Sequence, residues 1–142
     1  MMRWVTHAGG ARVTIAIGVA LIALGDVRLA TAVLLANGGS HLMVQVLKRA
    51  VGRARPADAS GRVLALVPLP DPHSFPSGHA AAATAVAATL ALSHPLTAPV
   101  VLPLAGLVAY SRVALRVHHV SDVVAGAALG LGGAVAAWHV VG

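Results

Sequence analysis

The sequence is short of everything a water-facing surface is made from. Of its 142 residues, 10% are charged and 3% aromatic, four are acidic, and none is cysteine. A soluble domain carries roughly 25% charged residues. This chain has too few to cover itself in water, while 58% of it is hydrophobic. Lipid in place of water around most of the chain is the simplest account. The lack of cysteine excludes a disulfide framework, a thiolate nucleophile and a cysteine-based metal site. The scarcity of acids leaves a net charge of +6, yet the basic residues are not spread over a polar surface: five of the ten fall between Lys48 and Arg62. Crowded beside apolar segments, they speak against nucleic acid and for anionic headgroups or phosphate esters.

The apolar pattern predicts an all-α membrane bundle of about five transmembrane helices, over residues 13–25, 29–47, 78–93, 98–117 and 120–141, in a single domain covering 1–142. The first is short for a span unless residues 4–12 extend it through Trp4. A cleaved secretory leader ending near Ala23-Leu24-Gly25 is the rival reading. In the second, Asn37, His41 and Lys48 share one helical face, which lipid should turn inward. Pro103 is expected to kink the fourth. Gly126 and Gly130 in the fifth form a small-xxx-small pair that predicts close packing. Residues 48–77 are the only long hydrophilic stretch, read as a loop over the mouth of the bundle with short helical pieces.

Three groups of residues stand out against this background. Pro76-Ser77-Gly78-His79 opens an apolar helix, where unpaired backbone N–H groups and the positive dipole end make a ready anion site. By itself this is also what an ordinary capped helix with an incidental histidine looks like. Lys48 and Arg55-Pro56 place two cations in and just after a membrane helix. Such cations are costly unless paired, although a positive cytoplasmic flank would read the same way. Ser111-Arg112, His118 and Asp122 form the third group. His118 and Asp122 are spaced as one helical turn, so the carboxylate of Asp122 can orient one nitrogen of His118 and leave the other as nucleophile or base.

In an up-down bundle the three groups fall at one end, offering three cations, a helix N-terminus, two histidines and a carboxylate. Lys48, Arg55 and Arg112 suit the oxygens of a phosphoryl group in transfer. His118 suits nucleophilic attack and His79 protonation of the leaving oxygen. With one acidic residue in the inferred site, a Mg²⁺ or Ca²⁺ cage is not expected, and no cofactor is.

These residues carry a resemblance. Lys48, Arg55-Pro56, Pro76-Ser77-Gly78-His79, Ser111-Arg112, His118 and Asp122, at their spacings, are similar to the three-part signature of the type 2 phosphatidic acid phosphatases, a family related to vanadium-dependent haloperoxidases. The resemblance runs from Lys48 to Asp122. It implies metal-independent hydrolysis of a membrane lipid phosphate or diphosphate through a phosphohistidine. His118 would be the nucleophile, Asp122 its orienting partner and His79 the acid, with Lys48, Arg55, Ser77, Gly78 and Arg112 binding phosphate. It also implies a multi-pass protein of a bacterial cell membrane; self-association stays open. Members of the family typically have six spanning helices, so the first is expected to be missing here. A non-catalytic lipid-phosphate-binding subunit and a vanadate-dependent haloperoxidase are the alternatives. Sidedness pulls two ways: the flanking arginines place the site in the cytoplasm, whereas the resemblance favours the outer face.

Overall fold

The computed structural model describes residues 10–57, 60–69 and 71–141. Five α-helices occur among them: α1 (Ala11–Ala23), α2 (Val27–Val51), α3 (Gly78–Ser93), α4 (Ala98–Ala114) and α5 (Val120–Val141), with a 3₁₀ turn at Pro95–Thr97 before α4. There is no β-strand among the described residues, only isolated bridges at Ala54↔His73 and Ala57↔Val63.

Helix α3 is the hub, touching all four others. Its alanines Ala80 to Ala83 and Ala85 are buried, so neighbouring backbones can come close. The expected glycine pair makes the closest approach. A Cβ on Gly126 would collide with the carbonyl oxygen of Ser77, and one on Gly130 with that of Ala81, besides meeting Ala85 N at 2.8 Å. Large apolar side chains such as Leu42, Leu104, Tyr110 and Val124 lie instead on the outside. Small residues within and large ones without is the distribution expected where lipid is the solvent.

Among the described residues, three stretches are long and apolar enough to cross a membrane: Val27–Val51, Pro95–Ala114 and Val120–Val141. Helices α1 and α3, of 13 and 16 residues, are apolar but shorter. At ~1.5 Å per residue α3 reaches roughly 24 Å, less than a bilayer core of ~30 Å. Wrapped by its neighbours, it has little lipid to face. The chain is an all-α integral membrane bundle.

Local chemistry corrects several boundaries. Helix α2 runs beyond the expected 29–47 because both ends are capped: Asp26 accepts from Leu29 N (3.0 Å), and Gly52 takes the left-handed conformation at φ 60 with its N–H on the Lys48 carbonyl. Helix α4 continues through Pro103 as one element and ends at Ala114, three residues before the expected 117. Arg116 then adopts φ 56, a left-handed turn in a position where glycine is usual. The loop expected over 48–77 begins only after α2 ends at Val51, and beyond that it contains no helical piece among its described residues. Helix α1 packs on α2, with Gly18 against Leu34. Of the extension expected over residues 4–12, Ala11 and Arg12 belong to α1, and residues 4–9 with Trp4 lie outside the described residues.

Candidate active site

Four helix ends meet at one end of the bundle. The C-termini of α2 and α4 bring Lys48 and Arg112; the N-termini of α3 and α5 bring His79 and Asp122. Between them opens a cavity of about 560 Å³, whose mouth is lined by Lys48, Arg55, Gly78, His79, Arg112 and His118. Six of the eight residues singled out in the sequence thus face one space. The other two stand behind it. Ser77 is fully buried; its hydroxyl accepts from Ala80 N (3.4 Å) as the α3 N-cap, and its N–H donates to the Asp122 carbonyl (2.9 Å). Asp122 is fully buried too. A Cβ on Gly78 would meet only the Val44 side chain, at 3.7 Å, so protein packing does not demand glycine there.

The turn after α4 is what delivers His118. With Arg116 in the left-handed region, Val117 N (3.2 Å) and His118 N (3.3 Å) both donate to the Arg112 carbonyl. This tight C-cap reverses the chain so that Arg112 and His118 face the same cavity. His118 therefore precedes α5 rather than sharing a helical turn with Asp122, as the spacing had suggested. Asp122 Oδ2 accepts from His119 N (2.8 Å), the acidic half of a capping box. Its Oδ1 accepts from Arg53 (2.9 Å), which also donates to Ser121 Oγ (2.7 Å). From His118 Nδ1 to Asp122 Oδ2 is 3.6 Å, an ion-pair separation but longer than a hydrogen bond. Nδ1 is accordingly a buried nitrogen without a hydrogen-bond partner.

Burial pushes the His118 pKa down to about 3, aided by the cations of Arg112, Arg55 and Lys48 and opposed by the Ser74 backbone. The imidazole is neutral at neutral pH.

Asp71, which the sequence reading left in the loop, belongs to the site. Lys48 Nζ donates to both its carboxylate oxygens (2.9 and 3.0 Å) and to the His73 carbonyl (2.9 Å). Arg55 Nη2 donates to Asp71 Oδ1 (3.1 Å), Arg55 Nε to the Asp71 carbonyl (3.0 Å) and Arg55 Nη1 to the Val117 carbonyl (2.8 Å). Burial alone would raise the Asp71 pKa. The Lys48 hydrogen bond and the charges of Lys48 and Arg55 outweigh it and hold the carboxyl below its usual range. The site therefore contains two carboxylates where one was expected. Arg53 was missed as well. Neither has a motif of its own; the signal available for Asp71 was the unmet need of two membrane-embedded cations for an anion. Three cations and the Asp71 carboxylate leave the mouth with a surplus of two positive charges.

Residues 27–142 match the family model described as PAP2 superfamily. The chain belongs to the PAP2 superfamily. Among PAP2 relatives, the decaprenylphosphoryl-5-phosphoribose phosphatase of Mycobacterium tuberculosis is 40% identical over 91 residues, 64% of this chain and 49% of that protein. This PAP2 chain spans about half the length of the curated relatives it matches. Two solved structures share the fold. A transmembrane PAP2-type phosphatidylglycerolphosphate phosphatase from Bacillus subtilis superposes with TM-score 0.78 at 29% identity, over 98% of this chain and 74% of that one. Aquifex aeolicus LpxE gives TM-score 0.83 at 26% identity, over 97% and 83%.

Proposed function

We propose that this protein is a lipid phosphate phosphatase of a bacterial cell membrane, cleaving a phosphomonoester or diphosphate through a phosphohistidine on His118. The observation that carries the reading is a neutral, buried imidazole beside three cations at the mouth of a cavity in a membrane bundle. The phosphatases among its relatives support it. A phosphomonoester carries nearly two negative charges, which matches the surplus of positive charge. Arg112 and Arg55 offer planar forks, Lys48 a point charge, and the α3 N-terminus backbone N–H groups. His118 Nε2 attacks phosphorus; the P–O bond to the leaving oxygen breaks and His79 gives that oxygen a proton. Water, deprotonated by His79, then displaces the imidazole and releases inorganic phosphate. Asp122, steadied by Arg53 and His119 N, takes the Nδ1 proton into a hydrogen bond and stabilises the charge that develops on the ring.

The test is phosphate release by the purified protein from a panel of lipid phosphates and diphosphates, with EDTA present. Turnover is expected to be unaffected by chelation, because the cations rather than a metal offset the phosphoryl charge, and vanadate is expected to inhibit. Activity lost in EDTA and restored by Mg²⁺ would refute metal independence.

The acid role of His79 has its own signature. His79→Ala is expected to slow hydrolysis of an alkyl phosphate by about 10²–10⁴-fold. The loss with p-nitrophenyl phosphate should be much smaller, since that leaving group needs no proton. Equal losses on both would show that His79 does something else.

A further inference from the structure

The cavity is deeper than a phosphate needs. From Lys48 its wall follows α2 through Gln45 and His41 to Asn37, about 16 Å along the axis at ~1.5 Å per residue. These are polar side chains within a membrane-crossing helix, a costly placement that marks a cavity or a pathway. Asn37 Nδ2 donates to Thr14 Oγ1 on α1 (3.1 Å), which orients its carboxamide. His41 Nε2 and Gln45 Nε2 are 3.4 Å apart, so imidazole and carboxamide are coupled. Below the mouth this strip holds no fixed charge, because the cations all sit above it. Ile15, Leu34, Val44 and Ala82 make the rest of the wall apolar.

We infer that the strip formed by Asn37, His41 and Gln45 is a subsite for an uncharged, hydroxyl-bearing spacer between the scissile phosphate and the lipid tail. The inference rests on the phosphatase reading and names its substrate class. Carboxamides and imidazole both donate and accept, as hydroxyl groups require. A second phosphate in this position would need cations the strip lacks. An alkyl chain would leave the hydrogen-bonding capacity that these groups do not spend on Thr14 or on each other facing hydrocarbon, which is unfavourable. A site built to hydrogen-bond a substrate hydroxyl rejects analogues without it more strongly than an apolar pocket rejects size. The structure therefore ranks phosphomonoesters carried on a polyol or sugar above those attached directly to a diacylglycerol or prenyl chain, and above diphosphates.

The experiment compares kcat/KM for dodecyl glucoside 6-phosphate, whose uncharged, hydroxyl-bearing sugar separates the scissile phosphate from the alkyl chain, with dodecyl phosphate in mixed micelles. The protein is expected to prefer the former by about tenfold or more, the loss of one or two hydrogen bonds being worth that factor. The His41→Leu/Gln45→Leu double variant is expected to bring the ratio toward one; leucine favours membrane insertion, and the single His41→Leu variant serves if the double one does not fold. No preference in the wild type, or a preference the variants leave intact, overturns the inference alone. No release from either lipid or from p-nitrophenyl phosphate overturns the phosphatase reading and this inference with it.

Discussion

His118→Ala is expected to lower kcat by at least about 10⁴-fold, the scale seen when a covalent nucleophile is removed, in a protein that still folds and inserts. No neighbour can replace it. His119 is adjacent in sequence, but its backbone N–H is held by Asp122, and of the other two histidines lining the cavity, His79 begins α3 and His41 lies seven residues before Lys48 on α2. Folding should survive because the turn is fixed by backbone bonds to the Arg112 carbonyl, which the side chain does not make. Stability against pH supplies a second readout. A histidine held at about 3 when folded and near 6.5 when unfolded takes up its proton preferentially in the unfolded chain between those values. Wild-type stability should therefore fall as the pH drops from about 6.5 toward 3, and His118→Ala should show a shallower fall. Near-normal phosphate release by the variant would end the phosphohistidine mechanism.

Arg112→Ala is expected to cost about 10³-fold or more in kcat/KM, the range for a guanidinium that stabilises a transferring phosphoryl group. Arg112 is 3% exposed on the last turn of α4 and faces the same cavity as His118. Its two functions are separable. The carbonyl that caps the turn stays in any variant, so His118 keeps its position; the guanidinium is lost. Arg55 and Arg112 also repel each other across the site. Removing one buried cation from a surplus of two relieves that repulsion, so thermal stability should hold while activity collapses. Arg112→Lys, which keeps the charge without the fork, should recover only part of the rate. A melting temperature that falls in step with activity would mean that Arg112 supports the fold rather than the chemistry.

The parts of this molecule legible in the sequence are those where one local rule decides. The bounds of α3 and α5 follow from Ser77 as a cap, from the break at His94-Pro95 and from the run after His119. The Gly126/Gly130 contact follows from small residues one turn apart. The gathering of six site residues at one cavity follows from counting helix ends. What escaped depended on residues far apart in the chain. Asp71 reaches Lys48 across 23 positions, and Arg53 reaches Asp122 across 69; no periodicity carries such pairings. The early stop of α4 depended on an arginine in a conformation that glycine usually supplies. The four residues from His118 to Asp122 read as one helical turn, but α5 starts only at Val120, so the pair spans a turn and a helix N-terminus.

Lys48 has three N–H groups, and its Nζ lies within hydrogen-bond distance of three acceptors, the two Asp71 carboxylate oxygens and the His73 carbonyl. An arriving phosphate does not meet a vacant cation; it must take a donor from an anion already installed. Occupancy is then an exchange, and its free energy is a difference between two similar partners rather than the full strength of one. Such a site fills reversibly. If the protein is the phosphatase proposed above, the phosphate it releases meets in Asp71 a resident rival for Lys48.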